Sequence, residues 1–487
     1  MTETKKKPID KQIKISEDTQ RKFLDCKLLE LIKQELDKEH VGNNKEKMLV
    51  FLIAVSGLLP TRHRCSCALN GDTSEGKTNI MKAVELHLPD EKYRWYDGVT
   101  KSGVQGDLKD DNNVGTIFFK ELNKKDENYA MSEFLKSVCE EGHSETKRNI
   151  ETNNKELVTH KIPKLAGIYA TTEMVDDDEL INRFIVISIV GNKNLYKKVN
   201  DNTKQIYKDV SLQIEHDVRK TNGTWIKQAL TQLLTPVDYF KIPSIDCVKP
   251  NNETARSKRD LKRFLNIACV IAWLYQKQRT IETIDNHSIL EVLPEDLINA
   301  YNIMSKSLTQ SFNNLNQRDL DTLDIIEKLS KSQPQQSLDV EKQYVERRIL
   351  QSHLKINSRS GVWKRLSSLK SSDAITIIDD KEHKNKWITI NADVVELLKG
   401  AFIGIETITC LKELITNQDL ICFEGNEYEP DDEIIEGLTG CIDYHHESLT
   451  REQLQNEDKN FSNKAIDWCI GENLIFEDSN GIIKVVK

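Results

Sequence analysis

The short stretch Gly71–Thr78 constrains the fold of this chain more than any other feature. It reads GDTSEGKT and matches the pattern GxxxxGK[ST] without exception. An apolar, β-like run over residues 65–69 precedes it and a helical pattern over residues 79–88 follows. This is the context in which such a loop encloses phosphate groups. A flexible glycine turn without a ligand is the alternative interpretation.

The residue types of this loop suit a nucleoside triphosphate and its metal ion. Glycines let backbone N–H groups curl around phosphate oxygens, Lys77 supplies positive charge to the outer phosphates, and the Thr78 hydroxyl can hold Mg²⁺. We therefore predict ATP and Mg²⁺ as cofactors, Lys77 as a catalytic residue and Thr78 as the metal ligand. The predicted nucleotide-binding residues of the loop are Gly71, Asp72, Thr73, Ser74, Glu75, Gly76, Lys77 and Thr78.

Around the loop, β-like runs alternate with helix-length segments, which is typical of an α/β layered sheet. The runs cover residues 65–69, 116–119, 166–171 and 184–190. A helical pattern then extends over residues 211–304 and predicts a helical lid.

Beyond residue 319, two helices followed by two strands around a charged turn predict a winged helix, in which Trp363 and Leu366 belong to the core. A second, similar unit ends the chain. The predicted domains are a mobile arm (1–15), an N-terminal helical segment (16–60), an α/β ATPase core (61–205), a helical lid subdomain (206–318), a winged-helix domain (319–395) and an acidic winged-helix-like domain (396–487).

Composition and charge disfavour membrane insertion and secretion. The chain has 487 residues, 30% of them charged, and no apolar run approaches the roughly 20 residues needed to cross a bilayer. The start of the chain lacks the pattern of a cleavable signal peptide, and its ten cysteines contain no CxxC pair. We expect a reduced, cytoplasmic protein without structural zinc.

The charge is distributed unevenly. Residues 401–487 contain 19 acidic and 6 basic residues, a net charge of −13, which leaves +4 for residues 1–400. Phosphate would repel the acidic end, so that end suits a protein partner or autoinhibition of a basic surface.

Residues that could complete catalysis follow the other β-like runs. Glu121 comes two residues after the run 116–119 and could orient a water molecule, although it could equally cap the next segment. Lys120 stands where an acid that assists the metal is usual, so Asp126 is a possible substitute. Thr171 and Thr172 would set a hydroxyl near the γ-phosphate, and Thr172 is the residue predicted to be catalytic.

Two arginine positions complete the predicted site. Arg183 stands just before a β-like run, where it could reach a neighbouring subunit's nucleotide or form an ordinary surface ion pair. Arg256, Arg259 and Arg263 open a helix whose other face is apolar, and one of them could contact the γ-phosphate from the lid. A solvated helix face is the alternative.

Together these stretches resemble an AAA+ ATPase of the MCM-like class, similar to helicase modules that accompany primases of mobile genetic elements. The resemblance covers about residues 20–310 and rests mainly on residues 69–78, 117–122, 166–172, 179–184 and 257–261. It implies that Glu121 is the catalytic carboxylate, that Thr171 or Thr172 senses the γ-phosphate, that Arg183 is the arginine finger, and that Arg259 is the arginine of the lid. Two departures are Lys120 and the lack of a zinc-binding or primase segment before the ATPase.

Candidate DNA contacts lie in two regions. Residues 146–161 contain a turn at Asn153–Asn154 whose flanks could pair as a hairpin, and the resemblance implies that such a hairpin grips the DNA backbone. The predicted winged helix offers a second basic surface, although many winged helices bind proteins instead. The predicted DNA-binding residues are Lys147, Arg148, Lys155, Arg359, Lys364, Arg365 and Lys384.

These features favour an ATP-dependent DNA helicase or translocase of a replication module, working as a ring that is expected to be a hexamer. Its expected partners are single-stranded or forked DNA, copies of itself, and a primase or other replication protein bound through the acidic end. The alternative is a nucleotide-switched DNA-binding or loading protein without unwinding activity, which Lys120 and the winged helix would suit. A degenerate ATPase that acts only as a scaffold is a third hypothesis.

Overall fold

The structure is a computed structural model, described residue by residue over most of the first 313 positions and in shorter segments beyond them. The described residues are 15–97, 100–109, 111–120, 129–148, 157–171, 183–191, 193–250, 255–313, 317–332, 344–354, 359–371, 374–380, 385–391, 405–415, 449–450, 466, 475–477 and 482–485.

Fifteen α-helices and sixteen strands are named in chain order within these residues. The helices are α1 Glu17–Phe23, α2 Leu28–Asp37, α3 Asn44–Ser56, α4 Lys77–Glu85, α5 Lys101–Leu108, α6 Tyr129–Glu140, α7 Lys193–Lys208, α8 Val210–Asn222, α9 Trp225–Gln232, α10 Ala255–Leu274, α11 Pro294–Asn313, α12 Gln317–Ser332, α13 Arg347–His353, α14 Arg359–Ser371 and α15 Ile405–Glu413. The strands are β1 Cys67–Asn70, β2 Tyr93–Tyr96, β3 Thr116–Phe119, β4 His143–Arg148, β5 Leu157–Ile162, β6 Ala166–Thr171, β7 Ile185–Ser188, β8 Tyr239–Lys241, β9 Ile281–Ile284, β10 His287–Glu291, β11 Tyr344–Glu346, β12 Ile375–Asp380, β13 Asn385–Ile390, β14 Leu449–Thr450, β15 Ile475–Glu477 and β16 Ile482–Val485.

A five-stranded parallel sheet forms the centre of the first half of the chain. Its strand order is β2-β3-β6-β1-β7, so β6 lies between β1 and β3. The alternation of strands and helices predicted this α/β sheet, and β3 and β6 have the predicted bounds. The edge strand β2 was not predicted, because its sequence YRWY lacks both a period of two and a run of aliphatic residues.

The main core lies between this sheet and the helices that cover one of its faces. Helix α3 is apolar on all sides, and residues 48–55 within it are fully buried. It contacts α4, α10, α11 and β6. A buried Leu, Ile or Phe stabilises the fold by about 1.5–3 kcal/mol, which makes this helix a major source of stability. With α1 and α2, it falls within the segment 16–60 in which the sequence predicts helices.

The region after α9 is not entirely helical, contrary to the prediction for residues 211–304. It contains a three-stranded sheet of order β8-β10-β9, in which β9 and β10 form an antiparallel hairpin. The two turn residues Asp285 and Asn286 have φ values of 50° and 64°. A two-residue turn with both φ values positive favours a hairpin, and Asp-Asn was the local signal for it.

A compact group of elements follows over residues 317–390. It comprises α12, α13, α14 and an antiparallel sheet of order β11-β13-β12. Its core includes Leu323, Val362 and Leu366, each at most 1% exposed. Trp363 is 38% exposed, so the prediction that it belongs to the core was wrong, whereas the prediction for Leu366 is confirmed.

Helix α15 packs against the body of the chain. Leu411 is fully buried in the main core, and the hydroxyl of Thr407 accepts a hydrogen bond from the backbone N–H of Lys249 at 3.1 Å. Cys410 on α15 forms a disulfide with Cys247, with Cα atoms 5.9 Å apart. The prediction that all cysteines are reduced is therefore wrong at this pair; spacing along the chain gave no sign of it, because 163 positions separate the two residues.

The chain divides into two compact units, residues 1–424 and 425–487. In the second unit, the described strands form an antiparallel sheet of order β14-β16-β15, and Ile466 is buried. The domain boundaries given above remain predictions. Within the described residues, no helix is both long enough and apolar enough to span a bilayer.

Candidate functional site

The loop Gly71–Thr78 lies where the buried strand β1 ends and helix α4 begins. Gly76 caps the amino end of α4 with φ +87°, and Ser74 also has a positive φ of 72°. Positive φ at Gly76 has no steric cost because glycine lacks a Cβ atom. The amino end of α4 directs backbone N–H groups and the positive end of the helix dipole towards the loop, which favours an anion there.

Lys77, the first residue of α4, faces the interior of the loop. Its side chain is 8% exposed, and its ammonium group donates hydrogen bonds to the carbonyl oxygens of Gly71 and Asp72 at 2.6 and 2.7 Å. Asp72 is exposed, as are Thr73 and Ser74, and Thr78 is half-buried. The loop thus has an exposed rim around a buried cation, an arrangement that fits a phosphate group with Mg²⁺ held by Thr78.

A second segment, which sequence reasoning missed, forms one wall of the loop. The ring of His40 lies beside Gly76, so that a Cβ atom built there would be 3.1 Å from its Cε1 atom. His40 is buried and lies 3.2 Å from the side-chain oxygen of Asn43. Burial lowers the pKa of His40, which favours the neutral imidazole at neutral pH. Only the contact in space, across 36 positions of the chain, reveals this histidine.

The segment after β7 forms another wall. The carbonyl oxygen of Ile189 lies so close to Gly71 that a Cβ atom there would overlap it. Two residues further on, Gly191 contacts the ring of Tyr196 on α7. A glycine is therefore needed at position 71 for close backbone approach, and α7 begins next to the nucleotide loop.

The carboxyl ends of β1, β6 and β3 lie side by side. Asn70 pairs with Thr171, and Phe119 pairs with Tyr169. Thr171 is 5% exposed and lies at the strand end next to the loop, and a role of either threonine near the γ-phosphate stays a prediction. Glu121 and Thr172, both predicted to be catalytic, lie outside the described residues, as does Asp126.

Lys120 follows directly after β3. Its side chain is half exposed, and its ammonium group lies 3.8 Å from a carboxylate oxygen of Asp97. At that distance and exposure the interaction contributes little to stability. The lysine thus points to the β2 side of the sheet, where Asp97 follows the edge strand.

Arg183 lies at the opposite end of the sheet from the loop. It comes two residues before β7, whose Ile185 pairs with Cys67 and whose Ser188 pairs with Asn70. Arg183 is five positions before Ser188, which lies at the level where the loop begins. At about 3.3 Å per residue of extended chain, this separates Arg183 from the loop by about 16 Å. Its Nε atom lies 3.1 Å from a carboxylate oxygen of Glu140, the surface ion pair named above as the alternative. The side chain of Arg183 therefore does not reach a nucleotide held by the loop of the same copy.

Arg259 is exposed on the first half of α10. Asn266, two turns further along this helix, lies 3.2 Å from the ring of His63, in the segment that leads to the amino end of β1. Arg263 forms an ion pair with the buried Asp260 at 2.7 Å. No contact joins Arg259 to the nucleotide loop within the described residues, and its nucleotide contact stays a prediction.

The predicted DNA-binding residues fall on two separate elements. Strands β4 and β5 form the predicted hairpin, with Lys147 opposite Val158 and Arg148 opposite Leu157. Lys155 lies outside the described residues. The pairing of β4 and β5 confirms the hairpin itself, while its DNA contacts stay predictions.

Three further candidates lie on α14. Arg359 begins this helix and Lys364 lies within it. Arg365 is half-buried and donates a hydrogen bond to the hydroxyl of Thr322 on α12 at 3.2 Å, so its observed role is to hold the two helices together. Lys384 lies outside the described residues.

Comparison with known proteins agrees with this geometry at a coarse level. A family model described as the MTBMA_p00010 P-loop domain matches residues 14–229, which include the loop Gly71–Thr78 and its sheet. No curated protein matches the chain. The match, the mostly parallel sheet and the loop geometry define an α/β P-loop domain, the class of domain that binds a nucleotide and usually Mg²⁺.

Proposed function

We propose that the chain is an ATP-dependent DNA helicase or translocase of the AAA+ type, in which each nucleotide is hydrolysed between two copies of the chain. The observation that carries this proposal is the separation of Lys77 and Arg183 on opposite ends of one sheet. An arginine that stabilises the transferring phosphoryl group must come close to it, so Arg183 can act only on the nucleotide of an adjacent copy.

Exposed apolar side chains support assembly with a second copy. Val210, Ile214 and Val218 on α8 are 63%, 59% and 47% exposed and follow one face at a spacing of four residues. Tyr196 and Tyr207 on α7 add exposed aromatic surface beside them. Helix α7 begins next to Gly191 and the nucleotide loop, and α8 follows it directly along the chain, so we assign this apolar surface to contact with a second copy.

The group of elements over residues 317–390 supports a DNA partner. Its elements follow the order helix, strand, two helices and two strands, and the proposal treats them as a winged helix with α14 as the recognition helix. In the proposed function Arg359 and Lys364 contact DNA from α14, Lys384 does so from the wing, and Lys147, Arg148 and Lys155 do so from the β4–β5 hairpin. Lysine contacts to phosphate are independent of sequence, as a translocase requires. We propose a hexamer, with a primase or other replication protein at the acidic end.

ATP turnover of two single variants tests this proposal. Lys77→Ala removes the buried ammonium group and should abolish ATP binding. Arg183→Ala should leave ATP binding intact and lower turnover by about a thousandfold or more. Arg94→Ala is a matched control, because Arg94 is also partly buried and forms an ion pair, 2.9 Å from Asp111, on the edge strand β2. Normal ATP hydrolysis by Arg183→Ala would overturn the shared site.

A nucleotide-switched DNA-binding or loading protein is the second candidate function. Lys120 favours it, because a cation follows β3 at the place where an acid usually assists the metal ion. Slow hydrolysis is sufficient for a switch. Strand displacement on forked DNA separates the two functions: ATP-dependent unwinding supports the motor, and ATP-dependent binding without displacement supports the switch.

A further inference from the structure

A group of cations lies at the amino ends of β1 and β6, the opposite end of the sheet from the nucleotide loop. We refer to it as the amino-end cluster. Its residues lie in three segments: the one before β1, the one just before β6, and the first half of α10. Its members are Arg62, Arg64, Lys164, Lys258, Arg259 and Lys262.

Arg64 and Lys164 form the recessed part of this cluster. The guanidinium group of Arg64 donates hydrogen bonds to the carbonyl oxygens of Leu59 and Lys164 at 3.2 and 2.6 Å. These two carbonyl groups are neutral, so they accept hydrogen bonds from the guanidinium group without balancing its charge. Burial lowers the pKa of Arg64 to about 10. Burial also lowers the pKa of Lys164; the positive charge of Lys262 lowers it further, and the negative charge of Glu140 raises it.

The nearby acids are paired with other arginines. Glu140 lies 3.1 Å from Arg183, and Asp260 lies 2.7 Å from Arg263. Across the part of the chain that the structure describes, no carboxylate comes within ion-pair distance of Arg64, Lys164 or Lys262. Partly buried positive charge without a counterion is costly, and a bound anion would reduce that cost.

The rest of the cluster is exposed and lies beside an exposed aromatic ring. Lys258 and Lys262 stand one helical turn apart on α10, so they share a face. Arg62 lies over the ring of Tyr239, with its guanidinium carbon 4.3 Å from the ring centroid, and Tyr239 is 43% exposed. Cations spread over several segments next to an exposed aromatic ring match the repeated phosphates and the bases of a nucleic acid strand.

We propose that the amino-end cluster binds the phosphodiester backbone of single-stranded nucleic acid. The proposal extends the DNA partner of the proposed function to a site that neither the hairpin nor the winged-helix elements provide. The cations come from three separate segments and include Arg62 beside the exposed ring of Tyr239, and a ring that a base can stack on favours a strand over the triphosphate of an adjacent copy. Because the cluster is at the opposite end of the sheet, a strand held there leaves the chain's own nucleotide loop open.

The salt dependence of binding tests the proposal. The probe is a fluorescently labelled oligothymidylate, and its affinity is measured by anisotropy over a series of KCl concentrations without ATP. Log affinity falls as log salt rises, and each lost single-strand phosphate contact makes this slope shallower by about 0.7. Lys262 is exposed, and we expect Lys262→Ala to make the slope shallower by about 0.7. The double variant Lys164→Ala/Lys262→Ala should make it shallower by about 1.4.

The double variant Lys220→Ala/Lys277→Ala is the matched control, because both lysines are exposed and lie on other elements. It should keep the wild-type slope. An unchanged slope for Lys262→Ala and for the cluster double variant overturns the proposal. The proposal is also overturned if the slope is unchanged and ATP turnover without DNA is slower. That result would assign the cluster to the triphosphate of an adjacent copy. Because binding is measured without ATP, failure of the proposed ATPase function is a separate result.

Discussion

At the scale of single residues, the glycines of the nucleotide loop have specific steric limits. Gly71 meets the backbone of Ile189, which cannot move aside as a flexible side chain could. Gly71→Ala should therefore displace the loop, abolish nucleotide binding and lower the free energy of unfolding by about 1–3 kcal/mol. Binding of a fluorescent ATP analogue and urea unfolding measure the two effects.

Gly106→Ala provides the control for this substitution. Gly106 lies within α5 and has no atom within 4 Å of a Cβ built on it. Alanine there should stabilise the helix by up to about 1 kcal/mol and leave nucleotide binding unchanged. Equal behaviour of the two variants would contradict the assigned role of Gly71.

A buried histidine should make the fold sensitive to acid. His87 is fully buried, its Nδ1 atom lies 2.8 Å from the hydroxyl of Thr224, and burial lowers its pKa to about 3. The unfolded chain binds this proton below about pH 6.5, whereas the folded chain binds it only near pH 3. The contribution of neutral His87 to the free energy of unfolding should thus be fully present above pH 6.5. It should be lost as the pH falls from 6.5 to 3, by at most about 1.4 kcal/mol per pH unit.

Urea unfolding at a series of pH values tests this loss. His87→Gln should reduce the dependence on pH in that range, although it also lowers stability at neutral pH. The exposed His287 serves as the control, since His287→Gln should keep the wild-type profile. If His87→Gln also kept the wild-type pH profile, the acid sensitivity would belong to other groups. One such group is His63, because burial lowers its pKa to about 4.

At the scale of elements, α8 offers a direct test of assembly. Ile214 lies in the middle of its exposed apolar face. Ile214→Asp should shift the mass in solution towards the monomer, because a carboxylate in an apolar interface lacks a counterion. Leu24→Asp is the control, since Leu24 is equally exposed, at 59%, in the turn just after α1. Equal masses for the two variants would show that α8 is not part of the interface.

The disulfide between Cys247 and Cys410 should hold α15 on the body of the chain. The 163 positions between them form a long loop, for which chain entropy gives a stabilisation of at most about 5 kcal/mol. Reductant or Cys410→Ser should lower the melting temperature and expose α15 to protease. Cys26→Ser, at a cysteine that forms no disulfide, should do neither. An unchanged melting temperature in reductant would show that the bond contributes nothing.

The elements differ in how far local sequence predicts them. The loop at Gly71 and the strands β3 and β6 were predictable, because a fixed motif and short apolar runs are local signals. Strand β2 was missed because only its position at the sheet edge, next to β3, makes it a strand. The contact of His40 with Gly76 and the end of the sheet at which Arg183 lies depend on strand order and packing, which no local pattern encodes.

At the scale of the whole molecule, the proposed function requires that one copy holds half of each of two sites. The nucleotide loop is at the carboxyl end of β1, and Arg183 and the amino-end cluster are at the other end. A contact between different surfaces of identical chains produces a ring when the rotation closes. The acidic end of the chain, with its net charge of −13 over residues 401–487, is where the proposal places a protein partner.

ATP turnover of a mixture of two inactive variants tests this account most directly. In a mixed assembly, an Arg183→Ala copy supplies an intact nucleotide loop and a Lys77→Ala copy supplies an intact arginine. We expect each variant alone to be inactive and the mixture to recover turnover at the seams where the two intact halves meet. A mixture as inactive as its components, from proteins that still assemble, would contradict the shared site.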